Sequence, residues 1–170
     1  GLGNEFAKIF LLAFIVSILS TPIWHKLAIY IGKKSTWMIG IFMLAISYIY
    51  TGLLTLENAT FSDLVLLKSI QALGFTCTSI IAPALLSEIS DFGAWKLRLD
   101  STATYFSSYT FVYKGAIAIG SGLGLGIAGL YGFEATSVTH SGHSITGLTL
   151  AIGWLPTVFA VLSIGSITLL

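Results

Sequence analysis

Apolar and polar positions segregate along this chain into whole segments, not into single alternating residues. Five long apolar runs, at about residues 7–31, 36–54, 62–87, 102–131 and 145–170, are separated by short polar connectors. Runs of roughly 20–30 residues at 1.5 Å per residue are long enough to cross a ~30 Å hydrocarbon core. They are continuously apolar, without the period-two alternation of barrel strands, so each predicts a helix whose backbone groups are satisfied internally. The predicted fold class is an all-α membrane protein with about five transmembrane helices. Pro22, Pro83 and Pro156 fall inside the spans, where kinks are tolerated.

Composition agrees with that pattern. The chain is 55% hydrophobic and 9% charged over 170 residues, whereas a soluble domain carries about 25% charge. The net charge of +1 implies no attraction to nucleic acid. Charge in the connectors sets the orientation. Lys33 and Lys34 occupy the first and Lys96 and Arg98 the third, while Glu57 and Asp63 mark the second and Glu134 the fourth. The positive-inside rule therefore places the first and third connectors in the cytoplasm. An odd number of spans puts the termini on opposite sides. The chain also starts without Met and stops without a polar tail, and a fragment or portion of a larger protein is expected.

One residue conflicts with its surroundings. Lys114 lies about ten residues inside the fourth run, roughly 15 Å deep. A cation there costs on the order of 2.5–3.5 kcal/mol, so it is a functional-site candidate that needs a partner. No intramembrane acid in the chain supplies one. Ser107, Thr110, Lys114 and Ser121 share one helix face by their spacing. A polar stripe centred on a lysine reads as a water-filled, substrate-lining wall. The plainer reading has the hydroxyls bonding their own backbone carbonyls and Lys114 meeting a structural acid on a neighbouring helix. Lys68, about a turn and a half inside the third span, can snorkel to the interface.

Other signals carry less. Gly124 to Gly129 matches G-x-G-x-x-G, but inside a span, where no strand-to-helix turn is available for a nucleotide. Ala118, Gly122 and Gly126, with Gly120 and Gly124, instead have small-xxx-small spacing that predicts close helix packing. The lone Cys77 reads as a buried small hydrophobe. His140 and His143 read as solvated loop histidines more readily than as a metal pair, and no metal site is expected. Asn58-Ala59-Thr60 is a glycosylation sequon, relevant only in a eukaryotic secretory pathway. No nucleophile–base pair is visible, and an enzyme is not expected.

A run of motifs carries a family resemblance. Ala84 to Lys96 (ALLSEISDFGAWK) resembles the acidic, aromatic and glycine motif that enters the loop between helices 10 and 11 of the glycoside–pentoside–hexuronide:cation symporters. These are the melibiose-permease-like branch of the major facilitator superfamily. Ser108 to Gly115 (SYTFVYKG) is similar to their helix 11 with its lysine. Gly32-Lys33-Lys34 resembles the basic loop after helix 8, and Tyr131-Gly132-Phe133 with Trp154-Leu155-Pro156 resembles the run into helix 12. The resemblance covers nearly the whole chain and implies helices 8–12 of a twelve-helix fold, a partial C-terminal transmembrane domain. It further implies cation-coupled secondary transport of a sugar or glycoside by alternating access, in a multi-pass protein of the bacterial inner membrane. The coupling ion would be Na⁺ or H⁺ with no other cofactor, and the partners would be a small-molecule substrate, membrane lipid and an N-terminal transporter half whose acids meet Lys114.

The resemblance assigns roles to residues as well. Lys114 would tune the cation site and contact substrate, with Thr110, Ser107 and Ser121 on the cavity wall. Glu88 and Asp91 would form cytoplasmic gate-loop contacts with Lys96 or Arg98. Three positions depart from the family pattern. Asp100 and Thr102 stand where Arg and Glu are usual, and Ser79 stands where melibiose-type members carry an aromatic residue. A non-sugar solute and a degenerate, non-transporting membrane subunit remain alternatives. A lipid-acting enzyme using Lys114 or His25 is the remaining class, and His25 between Trp24 and Lys26 reads instead as an interface anchor.

Overall fold

The computed structural model describes residues 5–54, 60–98, 100–134 and 142–169. Its elements are α1 (Phe6–Ile31), α2 (Lys33–Leu53), α3 (Phe61–Leu97), α4 (Thr102–Leu130), α5 (Gly142–Thr149), a π-helical turn (Leu150–Trp154) and α6 (Leu155–Leu169). No strand occurs among the described residues. Five helical rods, the last made of α5, the π-turn and α6, are long and apolar enough to cross a membrane. Glu57, the sequon residues Asn58 and Ala59, and His140 lie outside the described residues.

Local chemistry sets the breaks between rods. α1 and α2 are separated by Gly32 alone, at φ 84°, a backbone conformation that favours glycine. The start of α3 is a capping box in which Thr60 Oγ1 accepts from the Asp63 N–H and Asp63 accepts from the Thr60 N–H. Tyr50 at the outer end of α2 donates to the same carboxylate at 3.2 Å. In the last rod, Pro156 has no N–H and its ring crowds the carbonyl four residues back. The chain widens just before it, and the Leu155 N–H bonds the Leu150 carbonyl in π register.

α3 runs well past the end of its apolar stretch. Its 37 residues measure about 56 Å, against a ~30 Å core. Polar side chains end a lipid-facing surface, but they do not end a backbone hydrogen-bond ladder. Glu88, Asp91 and Lys96 therefore ride on the last turns of a helix, where a loop was expected. The helix stops at Arg98, which takes the left-handed conformation at φ 55°.

α2 is the packing centre, in contact with α1, α3 and α6. Ile41 and Ala45 of α2 pack on Ala160 and Ile167 of α6, while Trp24 of α1 packs on Cys77 and Ile81 of α3. Trp37 touches both clusters. The close contacts are made at glycines. A Cβ on Gly74 would lie 2.8 Å from the Gly40 carbonyl oxygen, and one on Gly153 would lie 2.8 Å from the Gly52 backbone. Cys77 is fully buried against this crossing, and its thiol donates to the Thr36 carbonyl at 3.3 Å.

The glycine-rich stripe of α4 was expected to make such contacts and does not. Nothing lies within 4 Å of a Cβ built on Gly120, Gly122, Gly124 or Gly126, and Ala128 is the buried residue of this helix. Small residues permit close approach only where a partner helix arrives, and among the described residues none reaches that stripe.

Replacing Gly74 by leucine should therefore destabilise the bundle by about 1–3 kcal/mol through overpacking. Gly165→Ala, which enters open space inside α6, should cost nothing and gain up to about 1 kcal/mol of helix propensity. Thermal unfolding of the detergent-solubilised protein, followed by fluorescence, measures both.

Candidate functional site

The fourth helix presents the candidate site. Ser107, Thr110 and Lys114 line one open groove with Phe106, Phe111, Gly115 and Ala118. Every lining residue belongs to α4, so the groove is one wall and is closed by no second element among the described residues. Ser121 continues the same stripe beyond Ala118 and is exposed, but it does not line this groove. The Ser107 hydroxyl donates to the Thr104 carbonyl at 3.0 Å, the self-bonding that apolar surroundings favour. Lys114 is exposed and has neither an ion pair nor a hydrogen bond among the described residues. Tyr109 and Tyr113 stack at 5.9 Å and stiffen the adjacent face.

This arrangement offers a cation with three donors, a hydroxyl one turn away and two aromatic rings flanking them. Phe106 and Phe111 were not picked out as site residues from the sequence. Their signal was their spacing, eight and three positions before Lys114, which returns them to its side of the helix. Ser79, on α3, is exposed.

Lys68 is a second cation inside a span. It does not snorkel freely. Its Nζ donates to Gln71 Oε1 at 2.9 Å and lies 5.7 Å from the centre of the Phe10 ring of α1.

The end of the bundle that carries Lys33 and Lys96 is organised differently from the sequence reading. Glu88 pairs with Lys33, which also reaches the Ala84 carbonyl, so the ion pair ties the start of α2 to α3. The sequence marks Lys33 for orientation and as part of a basic loop, but not as the partner of Glu88, because a pairing across 55 positions leaves no local pattern. Lys96 lies over the Phe92 ring at 5.7 Å, and Phe92 meets Trp95. Asp91 and Arg98 are exposed, with no ion pair among the described residues.

Two of the departures from the family pattern, Asp100 and Thr102, act together. The Thr102 N–H donates to Asp100 at 3.0 Å and the Ser90 hydroxyl donates to Thr102 Oγ1 at 2.8 Å, which stitches the end of α3 to the start of α4. Hydrogen bonds from the Thr102 side chain and then its backbone hold the Asp100 carboxyl below its usual range. A depressed carboxylate stabilises the fold at neutral pH, and that contribution is lost as pH falls through the lowered value.

Two side chains near the enzyme candidate are resolved. Trp24 is buried in the core, 5% exposed, so it packs between helices and does not anchor the interface, while His25 is exposed. Among the described residues no group of three His, Cys, Asp or Glu could hold a metal ion. His143 lies against Tyr131, ring centres 5.5 Å apart.

Comparison with known proteins agrees with this architecture. The family described as MFS/sugar transport protein matches residues 1–169. The uncharacterized symporter YjmB of Bacillus subtilis (strain 168) is 34% identical over 116 residues, covering 66% of this chain and 25% of that protein. The matched stretch is thus a quarter of the relative's length. No solved structure matches the chain significantly. The family is one of transporters, not of enzymes. With five rods able to cross a bilayer and a family match along nearly its whole length, the chain is an integral, multi-pass membrane protein and belongs to the MFS/sugar transport protein family.

Proposed function

We propose that this chain works as part of a secondary transporter that couples uptake of a sugar or glycoside to Na⁺ or H⁺ by alternating access in a bacterial plasma membrane. The observation that carries the reading is Lys114. It is a cation deep in a span, without a partner among the described residues, on a polar face flanked by aromatic rings. In this reading α4 is one wall of the transport cavity, and an N-terminal half contributes the acids that bind the coupling ion beside Lys114. The five rods are then helices 8–12 of a twelve-helix protein. Lys114 senses the cation and hydrogen-bonds substrate, Thr110 and Ser107 add hydroxyl contacts, and Ser121 extends the wall. Phe106 and Phe111 cover the apolar face of a sugar ring, the role left vacant at Ser79.

The Lys33–Glu88 pair serves as the cytoplasmic gate contact in place of the Glu88 and Asp91 pairs with Lys96 or Arg98 that the sequence implied. An exposed pair of this kind contributes about 0.2–1 kcal/mol. That is enough to bias two conformations that differ by little, and too little to lock either. A non-sugar solute stays as the second reading, favoured by Ser79 alone.

The test is uptake of a labelled sugar panel into vesicles carrying the full-length protein, with and without an imposed Na⁺ or H⁺ gradient. Gradient-dependent accumulation supports the symporter. No accumulation of any sugar, with insertion verified, transfers the reading to a non-sugar substrate or a non-transporting subunit. Lys114→Ala should cut gradient-driven accumulation by roughly 5–150-fold, the range of ordinary site-to-site coupling, while leaving insertion intact. Full cation-dependent uptake by that variant would refute a coupling role. Cysteines replacing Ser107, Thr110 and Ser121 should react with aqueous thiol reagents much faster than one replacing Ile119, and equal rates would place the stripe against protein or lipid. Glu88→Gln should raise labelling of the Thr110 cysteine from the cytoplasmic side by up to about fivefold, as loss of roughly 1 kcal/mol allows.

A further inference from the structure

The third helix carries a polar stripe that the transport reading has not used. Lys68, Gln71, Phe75 and Ser79 follow one another at offsets of three and four positions, so they share one side of α3. Gly74 and Cys77, which pack on α2, lie on the other side. Phe75 and Ser79 are exposed, while Lys68 and Gln71 are half-buried. Lys68 stands about 10 Å along the helix from its start at Phe61.

The acids at the starts of α1 and α3 are engaged elsewhere. Glu5 pairs with Lys8, and Asp63 is held by Thr60 and Tyr50. Lys68 makes no ion pair among the described residues, and its ammonium meets only neutral groups, Gln71 Oε1 at 2.9 Å and the Phe10 ring of α1. Two ammonium protons and the Gln71 amide protons are left without an acceptor among the described residues. Lysine is almost never buried unless paired, and lipid offers no acceptor to such donors.

We propose that this stripe is a sugar subsite separate from the Lys114 groove, in which Lys68 and Gln71 donate to ring hydroxyls and Phe75 covers the C–H face of the ring; the proposal rests on the sugar-transport reading. The ligand chemistry follows from what the stripe puts together. Phe75 stands one turn beyond Gln71, close enough to meet the same ligand. An acidic side chain from another helix would satisfy the donors and leave the exposed Phe75 ring bare. A lipid chain would cover Phe75 and leave the donors bare. A sugar has hydroxyl oxygens at its rim and an apolar C–H face, so it uses both. The ammonium is already held by Gln71 and Phe10, so little side-chain freedom is lost when a ligand binds. A solute entering from the Thr60–Asp63 end of α3 meets this stripe first, about 10 Å in.

The test reads sugar protection of two cysteines, each introduced singly into the full-length protein in membrane vesicles. Ala72→Cys, on the stripe between Lys68 and Phe75, reports on the subsite, and Thr110→Cys reports on the Lys114 groove. Cys77 is fully buried and adds no background. Labelling by an aqueous thiol reagent is timed with and without each member of the sugar panel. A sugar that protects the Thr110 cysteine should also protect the Ala72 cysteine. Adding Lys68→Met should raise the concentration that half-protects the Ala72 cysteine about tenfold or more, and Gln71→Leu about fivefold, the worth of a charged and of a neutral hydrogen bond. Half-protection of the Thr110 cysteine should not move in either variant. Protection at Thr110 with none at Ala72, or half-protection at Ala72 unchanged by both substitutions, would overturn the subsite and leave the transport reading standing. Equal losses at both reporters would assign Lys68 and Gln71 to holding the fold, and so overturn it as well. Protection of neither cysteine by any sugar would remove the subsite together with the sugar reading.

Discussion

The bundle depends on backbone approaching backbone at two glycine contacts of α2, with α3 at Gly40 and Gly74 and with the π-turn at Gly52 and Gly153. In a lipid solvent, apolar side chains gain little by meeting one another, so helices associate through close packing. A Cβ on Gly40, Gly74 or Gly153 would come within 2.8 Å of atoms across the contact, and one on Gly52 would press on the Trp154 ring at 3.0 Å. The hub position of α2, the full burial of Cys77 and the proximity of the α6 terminus to Trp37 all follow from these crossings. The π-turn belongs to the same contact, because its Gly153 meets the Gly52 backbone.

α4 lacks such contacts, and its two sides are left for other uses. One carries the polar groove with Lys114, while the other faces the apolar cleft beside α2. A single helix can serve both because the two sets of positions differ in angular phase: Thr110, Lys114 and Ser121 repeat at helical spacing, and Ala116, Ile119 and Leu123 repeat on the opposite side. The junction Ser90–Thr102–Asp100 then fixes where α4 leaves α3. Two of the residues that depart from the family pattern, Asp100 and Thr102, thus form hydrogen bonds at a helix start, a local solution to joining two rods without an ion pair.

Much of this was legible in the chain. Five continuously apolar runs allow five helices and nothing else in a bilayer, because lipid offers no partner to an unpaired backbone group. Lys114 stood out for the same reason, since the cost of an isolated cation is a property of position within a run. The stripe Ser107–Thr110–Lys114 followed from helical period. The partner of Glu88 was not legible, because Lys33 lies in another rod and ion pairing depends on distances that spacing does not encode. The length of α3 was misjudged because hydropathy reports where lipid ends, and a helix can continue into water. The glycines of α4 looked like contact glycines and Gly40 and Gly74 did not stand out, although the reverse holds in space.

What the sequence determined by itself was therefore whatever depends on one segment and its solvent: the number and type of spans, and which residue is costly where it stands in its run. What only the tertiary structure decided was pairing. Which glycines touch and which acid meets Lys33 depend on how rods are laid side by side. A bilayer dictates that each rod be apolar and helical, but it is nearly indifferent to which apolar faces meet. That choice rests on a few ångströms of backbone approach.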